Sequence, residues 1–243
     1  MRLAVVSDVH GNVAALRHVI GHLATQAVDG VINLGDCVTA PLWPKETWET
    51  LKELGAHTVR GNHDRWLGDE GRVAQSPVIA FAHGQLSSED RASLTSLPPT
   101  VRIDGDVVAV HGTPASDTEY LLEDSIDDRL CLSTSETVND RLRTVCGARL
   151  VLCGHSHQQN AVWASGRRLV VNPGSVGCPR YAGNPAPWRN EAGSPHARYA
   201  VVTRRNGDWS VELFVLAYDW TPVVERALAV GHPDWAEAFA KNG

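Results

Sequence analysis

Leu3-Ala4-Val5-Val6-Ser7-Asp8-Val9-His10-Gly11-Asn12 is the stretch on which the reading of this chain turns. Its apolar run is too short for a helix and stops at a polar cluster, which makes it a short buried strand. From Val13 the apolar residues Leu16, Val19, Ile20 and Leu23 return at helical spacing. The alternation continues downstream. Val31-Ile32-Asn33-Leu34 reads as a second strand, and Pro44 starts a helix that carries Trp48, Leu51 and Leu54 on one face until Gly55 ends it. His57-Thr58-Val59-Arg60 then returns as a third strand. A β-α-β-α-β order needs crossover connections, hence a parallel sheet with helices packed on it.

Beyond Gly68 the pattern loosens. A helix is expected from Glu89 to Leu97, stopped by Pro98-Pro99, followed by a strand from Val107 to Val110. Ser133-x-x-Glu136 has the form of a capping box for a helix carrying Val138, Leu142 and Val145 and ending near Gly147. Leu150-Val151-Leu152 and Leu169-Val170-Val171 are further strands, and Tyr199 to Arg204 with Trp209 to Leu216 flank the hairpin signal Asn206-Gly207. The expected fold is α/β, a layered sandwich of two mixed β-sheets flanked by helices, in one domain over residues 1–243. Residues 180–197, rich in Pro, Gly, Asn and Trp, are expected to be irregular, either a lid or a disordered excursion.

The 243 residues are 43% hydrophobic and 21% charged, a globular composition rather than a disordered one. A formal net charge of −6 offers no general attraction to a long polyanion, so extended nucleic acid is a poor partner. Five cysteines, odd in number and without a CxxC pair, argue against a disulfide framework. With no signal-like or membrane-spanning apolar segment, the expectation is a cytoplasmic protein with reduced thiols that does not enter a membrane.

The chemistry lies where the strands end. Asp8-Val9-His10 follows the first strand, Gly35-Asp36 the second and Gly61-Asn62-His63-Asp64 the third, each where a parallel sheet places its ligand sites. His111-Gly112 follows the strand from Val107, and Gly154-His155-Ser156-His157 follows Leu150 to Cys153. Taken singly, each has a plain structural alternative: a helix cap for Asp36, an Asx turn for Asn62, a satisfied core residue for any one histidine. Taken together, five strand ends carry Asp8, His10, Asp36, Asn62, His111, His155 and His157, more ligands than one ion needs. This nitrogen and oxygen set without thiolate suits Mn, Fe, Zn, Ni or Co and leaves Cys37 as a packing residue. Asp36 could bridge two ions.

In order and spacing these motifs resemble the calcineurin-like metallophosphoesterases, and Asn172-Pro173-Gly174-Ser175-Val176-Gly177 extends the likeness to the small bacterial and archaeal phosphodiesterases of that superfamily. The resemblance implies two divalent ions, Mn foremost, one held by Asp8, His10, Asp36 and His157 and the other by Asp36, Asn62, His111 and His155. It implies that His63 stabilises charge or protonates the leaving alkoxide, with Asp64 orienting its ring. Asn12 and Arg180 are expected to face the substrate, a small phosphate ester, simple or nucleotide-like, while Tyr181, Trp188 and Arg189 could serve stacking or a second phosphate. Asp36 is followed by Cys37-Val38-Thr39 where protein phosphatases of the superfamily carry Asp-Arg-Gly, which disfavours phosphoprotein substrates. Phosphodiesterase, phosphomonoesterase and dinucleoside polyphosphate hydrolase stay open, and a non-catalytic scaffold is disfavoured by the complete ligand set.

Overall fold

The computed structural model describes residues 1–127, 129–182 and 189–240. Its first sheet is built around the opening stretch. β1 (Arg2–Val6) pairs in parallel with β2 (Gly30–Asn33), and β2 with β3 (His57–Thr58). α1 (Val13–Leu23) and α2 (Pro44–Leu54) supply the crossovers. Asn12 caps α1, its Oδ1 accepting the Ala15 N–H at 3.0 Å, and Pro44 and Gly55 mark the limits of α2 as expected. β3 is shorter than its apolar pattern suggested because the chain leaves the ladder at Arg60, whose N–H is taken by the Pro98 carbonyl at 2.8 Å.

The other edge of β1 is closed from far away in sequence. β13 (Ala197–Arg205) and β14 (Asp208–Leu216) form the hairpin expected around Asn206-Gly207, and β13 lies antiparallel to β1, giving the order β14-β13-β1-β2-β3. The second sheet has the order β4-β5-β8-β10-β9, built from β4 (Thr100–Ile103), β5 (Val107–Val110), β8 (Leu150–Leu152), β9 (Gln159–Ala164) and β10 (Arg168–Pro173). Each sheet therefore has three parallel strands bordered by antiparallel ones.

Strand alternation sorts the core into layers. Leu3, Val5, Ile32 and Leu34 pack between the sheets against Ala109, Leu150, Leu152 and Val171. Ala4 and Val6 face the opposite way, toward Leu16 and Val19 of α1, Leu51 of α2, Val223 of α8 (Thr221–Ala229) and Phe239 of α9 (Pro233–Ala240). Val108, Val151 and Val170 cover the outer face of the second sheet with Val138 of α7 (Ser135–Arg141). α7 is capped by Thr134 rather than Ser133 and ends before Val145, which is nevertheless buried against the same layer.

Several elements carry no strong sequence signal. These are α3 (Asn62–Trp66), α4 (Glu70–Gln75), α5 (Pro77–Gln85), the hairpin of β6 (Glu123–Ile126) with β7 (Arg129–Leu132), and the terminal α8 and α9. The helix expected at 89–97 is α6 (Ser88–Thr95), capped by Ser87. Part of the segment expected to be irregular is ordered: β11 (Arg180–Ala182) pairs antiparallel with β12 (Arg189–Glu191). Trp188 and the side chain of Arg189 lie outside the described residues. No described helix is long and apolar enough to cross a membrane.

Candidate metal centre

Both sheets deliver the C-terminal ends of their parallel strands to one place, where hydrogen bonds tie the strand ends to one another. The His155 N–H donates to Asp8 Oδ2 at 3.1 Å, the Gly154 N–H to the His111 carbonyl at 2.7 Å, and His111 Nδ1 to the Leu34 carbonyl at 2.7 Å. Such close approach needs glycine. A Cβ at Gly61 would overlap Asp36 Oδ1, and one at Gly154 would overlap Ser7 Oγ and come within 2.9 Å of Asp8 Oδ2.

All seven residues expected as ligands converge here. Asp8, His10, Asp36, Asn62, His111 and His157 are buried and His155 is nearly so. Asp36 sits in the middle: its Oδ2 is 3.7 Å from His10 Nε2 and 3.4 Å from His111 Nε2. On one side His157 Nε2 lies 3.3 Å from Asp8 Oδ1 and 3.2 Å from His10 Nε2; on the other, His111 Nε2 lies 3.0 Å from Asn62 Oδ1. The ligand atoms of Asp8, His10 and Asp36 fall within 4.8 Å of one another, and so do those of Asp36, His111 and His155.

This donor set fits cations. Nδ1 of His10, His111 and His157 each faces a backbone carbonyl, of Thr39, Leu34 and Cys178 at 3.0, 2.7 and 2.9 Å. A carbonyl only accepts, so Nδ1 keeps its proton and Nε2 is the nitrogen turned to the centre, where it can bind a cation once its own proton has left. Asp8 Oδ1 is buried without a hydrogen-bond partner. Among the described residues, ten non-glycine positions have positive φ, and five of them are Asp8, His10, Asp36, His155 and His157, between 46° and 67°. Left-handed backbone costs on the order of 1 kcal/mol per residue, and its concentration on these five points to an interaction that offsets it.

Residues 1–187 match the calcineurin-like phosphoesterase superfamily domain. The chain belongs to that superfamily. It is 26% identical to an uncharacterized protein of Methanocaldococcus jannaschii, over 96% of this chain and 94% of the other. A metallophosphoesterase from Sphaerobacter thermophilus covers 100% of both chains with a TM-score of 0.76 at 25% identity. A hypothetical protein from Pyrococcus horikoshii shares the fold with a TM-score of 0.75, over 97% of this chain and 95% of its own, at 19% identity. As a calcineurin-like phosphoesterase the protein is a metal-dependent hydrolase of phosphate esters.

The electrostatics of this phosphoesterase site favour anionic ligands. Burial alone would raise both carboxyls, yet the His157 imidazole brings Asp8 down to about 2, and His111 brings Asp36 well below the usual carboxylate range. His63 behaves oppositely. Burial lowers it to about 3, so its ring is neutral at pH 7, and cations nearby would lower it further. Its backbone N–H donates to Asp36 Oδ1 at 2.9 Å, while its Nδ1 is buried without a partner.

Three expected roles look different in the structure. Asp64 does not reach the His63 ring; its carboxylate accepts the backbone N–H groups of Asp36, Cys37 and Gly61 at 2.9 to 3.0 Å and so fixes the Asp36 loop. Asn12 is fully buried, its Oδ1 capping α1 and its Nδ2 donating to the Gly177 carbonyl and the Tyr218 hydroxyl at 3.1 and 3.0 Å, so it ties loops together rather than facing a substrate. Arg180 opens β11, but it is the next residue, Tyr181, that lines the cavity over the site. The Tyr181 ring sits 4.6 Å from that of His157, and its hydroxyl meets Tyr120 at 2.9 Å.

That cavity measures about 250 Å³. Its floor is His10, Asp36, His63, His155 and His157, and its walls include Thr39, Ser76 and Val78 beside α5, Cys178, Tyr181, and Trp235 of α9. Sequence reasoning missed Val78 and Trp235 entirely. It also treated the ligand set as free of sulfur, whereas Cys178 Sγ lies within 4.8 Å of ligand atoms of His10 and His157. A larger groove of about 470 Å³, lined by Leu67, Val73, His83 and Arg91 among others, contains none of the proposed ligands.

Proposed function

We propose that the protein hydrolyses small phosphate esters, phosphodiesters foremost, with two divalent metal ions, Mn²⁺ first among the candidates. Asp8, His10, Asp36 and His157 would hold one ion, and Asp36, Asn62, His111 and His155 the other. The observation that carries this reading is the position of Asp36, whose carboxylate is shared by two ligand clusters. When bound, the ions lower the pKa of water and neutralise phosphate oxygens.

The chain's own residues supply the rest. The carbonyls of Thr39, Leu34 and Cys178 hold three imidazoles in one tautomer and orientation. Asp64 fixes the Asp36 loop through backbone N–H groups, and the His63 N–H binds Asp36 Oδ1. The neutral His63 ring acts as a hydrogen-bond donor to charge developing on the substrate rather than as a preformed acid. The walls of Val78, Tyr181 and Trp235 keep the site narrow, and about 250 Å³ is below the usual range of roughly 300–1,000 Å³ for ligand pockets. That supports a small ester over a phosphoprotein or a large dinucleotide.

Elemental analysis and activity of the wild type and of Asp36→Ala test the proposal. Two ions per chain and diesterase activity are expected in the former, with both lost or reduced in the latter. Full activity in Asp36→Ala, one ion in fully active enzyme, or faster hydrolysis of phosphopeptides than of a nitrophenyl diester would overturn it.

A further inference from the structure

The Cys178 carbonyl holds the His157 ring, but its side chain has no role derived so far, and its position is tightly fixed. After β10 the chain turns through Gly174 and Ser175, and the turn is stitched to the Asp8 loop. The Val176 and Gly177 N–H groups donate to the carbonyls of Ser7 and Asp8 at 3.0 and 3.2 Å, Ser175 Oγ donates to the Asp8 carbonyl at 2.8 Å, and the Cys178 N–H donates back to Ser175 Oγ at 2.8 Å. A Cβ at Gly177 would overlap the Val9 carbonyl, so the turn packs directly against the Asp8 loop. Cys178 is 3% exposed and carries a free thiol in the wall of the cavity.

Its sulfur, with ligand atoms of His10 and His157, forms a triad within 4.8 Å. Atoms bound to one ion at about 2.0–2.3 Å lie at most about 4.6 Å apart, so a small adjustment lets the three share an ion. Two further facts point to a cation here. Asp8 Oδ1 is fully buried, has no hydrogen-bond partner and sits 3.3 Å from His157 Nε2. The thiol's own polar contact, to the Arg180 carbonyl at 3.4 Å, is a weak one that a metal bond can replace.

We propose that Cys178 is a thiolate ligand of the ion held by Asp8, His10, Asp36 and His157, an inference that rests on the two-metal reading above. On binding, the thiol proton passes to solvent and a sulfur–metal bond forms. Sulfur makes this position softer than its partner, so here Zn²⁺, Fe²⁺ or Co²⁺ takes precedence over the Mn²⁺ put first above, which stays first for the second position with its oxygen and nitrogen ligands.

Cobalt loading of the purified protein tests this without an assay of activity. The wild type is expected to show a near-ultraviolet sulfur-to-cobalt charge-transfer band that Cys178→Ser loses, with the visible cobalt bands and the stoichiometry kept. Zn²⁺ affinity at one position should fall about tenfold or more in that variant, with Mn²⁺ affinity little changed. X-ray absorption of the zinc-loaded wild type, which needs no variant to fold, should include a sulfur shell at about 2.3 Å. Cobalt bound without the band, the band persisting in Cys178→Ser, or a zinc shell of nitrogen and oxygen alone would overturn the thiolate while leaving the two-metal reading standing. Failure to bind two cobalt ions would overturn both.

Discussion

Replacing Glu123 by Gln is expected to change the pH dependence of stability by an amount the structure allows to be worked out. Glu123 lies in β6, 2% exposed; its Oε1 accepts from Asn160 Nδ2 at 3.0 Å and its Oε2 is buried without a partner. Burial raises the carboxyl from 4.5 to about 7. In the unfolded chain the acid releases its proton near pH 4.5, whereas in the folded chain it holds it to about pH 7. Between these values the unfolded state binds fewer protons, so stability is full below pH 4.5, falls as pH rises to 7, and is level above. The difference 7 − 4.5, at 1.36 kcal/mol per unit, is a loss of about 3 kcal/mol. Gln cannot ionise, but its amide brings one more buried donor than the protonated acid, which costs about 1–3 kcal/mol where no acceptor faces it. Glu123→Gln should therefore be the less stable protein at pH 4 and draw level with or overtake the wild type at pH 8, the gap moving by about 3 kcal/mol, or roughly 6–12 °C in Tm for a chain of this size. Thermal unfolding of both proteins from pH 4 to 8, after metal depletion, measures it. A gap that stays constant with pH would refute the buried, protonated carboxyl.

Two further outcomes bear on the site. His63→Ala should keep its metal content and lose about 10²–10⁴-fold in kcat, by a similar factor for nitrophenyl and alkyl esters, because a neutral ring stabilises charge without delivering a proton; a loss confined to poor leaving groups would restore the general-acid role. Gly154→Ala should weaken the ion on Asp8 by about 10–100-fold in a calorimetric titration, since the new Cβ meets Ser7 Oγ and Asp8 Oδ2, and unchanged affinity would show that the strand ends are not packed as tightly as described.

The parts of this site that were legible in the sequence share one property: each is announced by the strand that precedes it. Asp8, Asp36, His111 and His155 follow apolar runs that a parallel sheet must bury, so their common edge follows from topology before any coordinates are known. The departures lie two residues beyond a ligand. Asn12 and Asp64 stand beside ligands and look like chemistry, yet backbone N–H and carbonyl groups at a crowded junction need partners, and these side chains are consumed in supplying them. Val78 and Trp235 were unreadable for a different reason. Their helices are short, and nothing local says that a helix beginning at Pro233 folds back to bring a ring within 6.5 Å of that of His10. Cys178 had a signal that was passed over, because the turn at Asn172 to Ser175 closes a strand at the same edge and its following side chains were as well placed as the histidines.

These two kinds of residue also divide the work of substrate choice. The strand-end ligands would set charge: with two divalent ions bound as proposed, ionised Asp8 and Asp36 would offset half their charge, and a thiolate at Cys178 would offset more. A site with less residual positive charge discriminates less strongly in favour of a dianionic monoester over a monoanionic diester. The walls set shape. Val78, Tyr181 and Trp235 offer an apolar and aromatic surface above the ligands, where a second ester substituent would lie and a free phosphate oxygen would lose its hydration without a partner. On the proposed reading, charge would lessen the monoester's advantage and shape would favour the diester, the first from residues the strands announce and the second from residues that only the folded chain brings together.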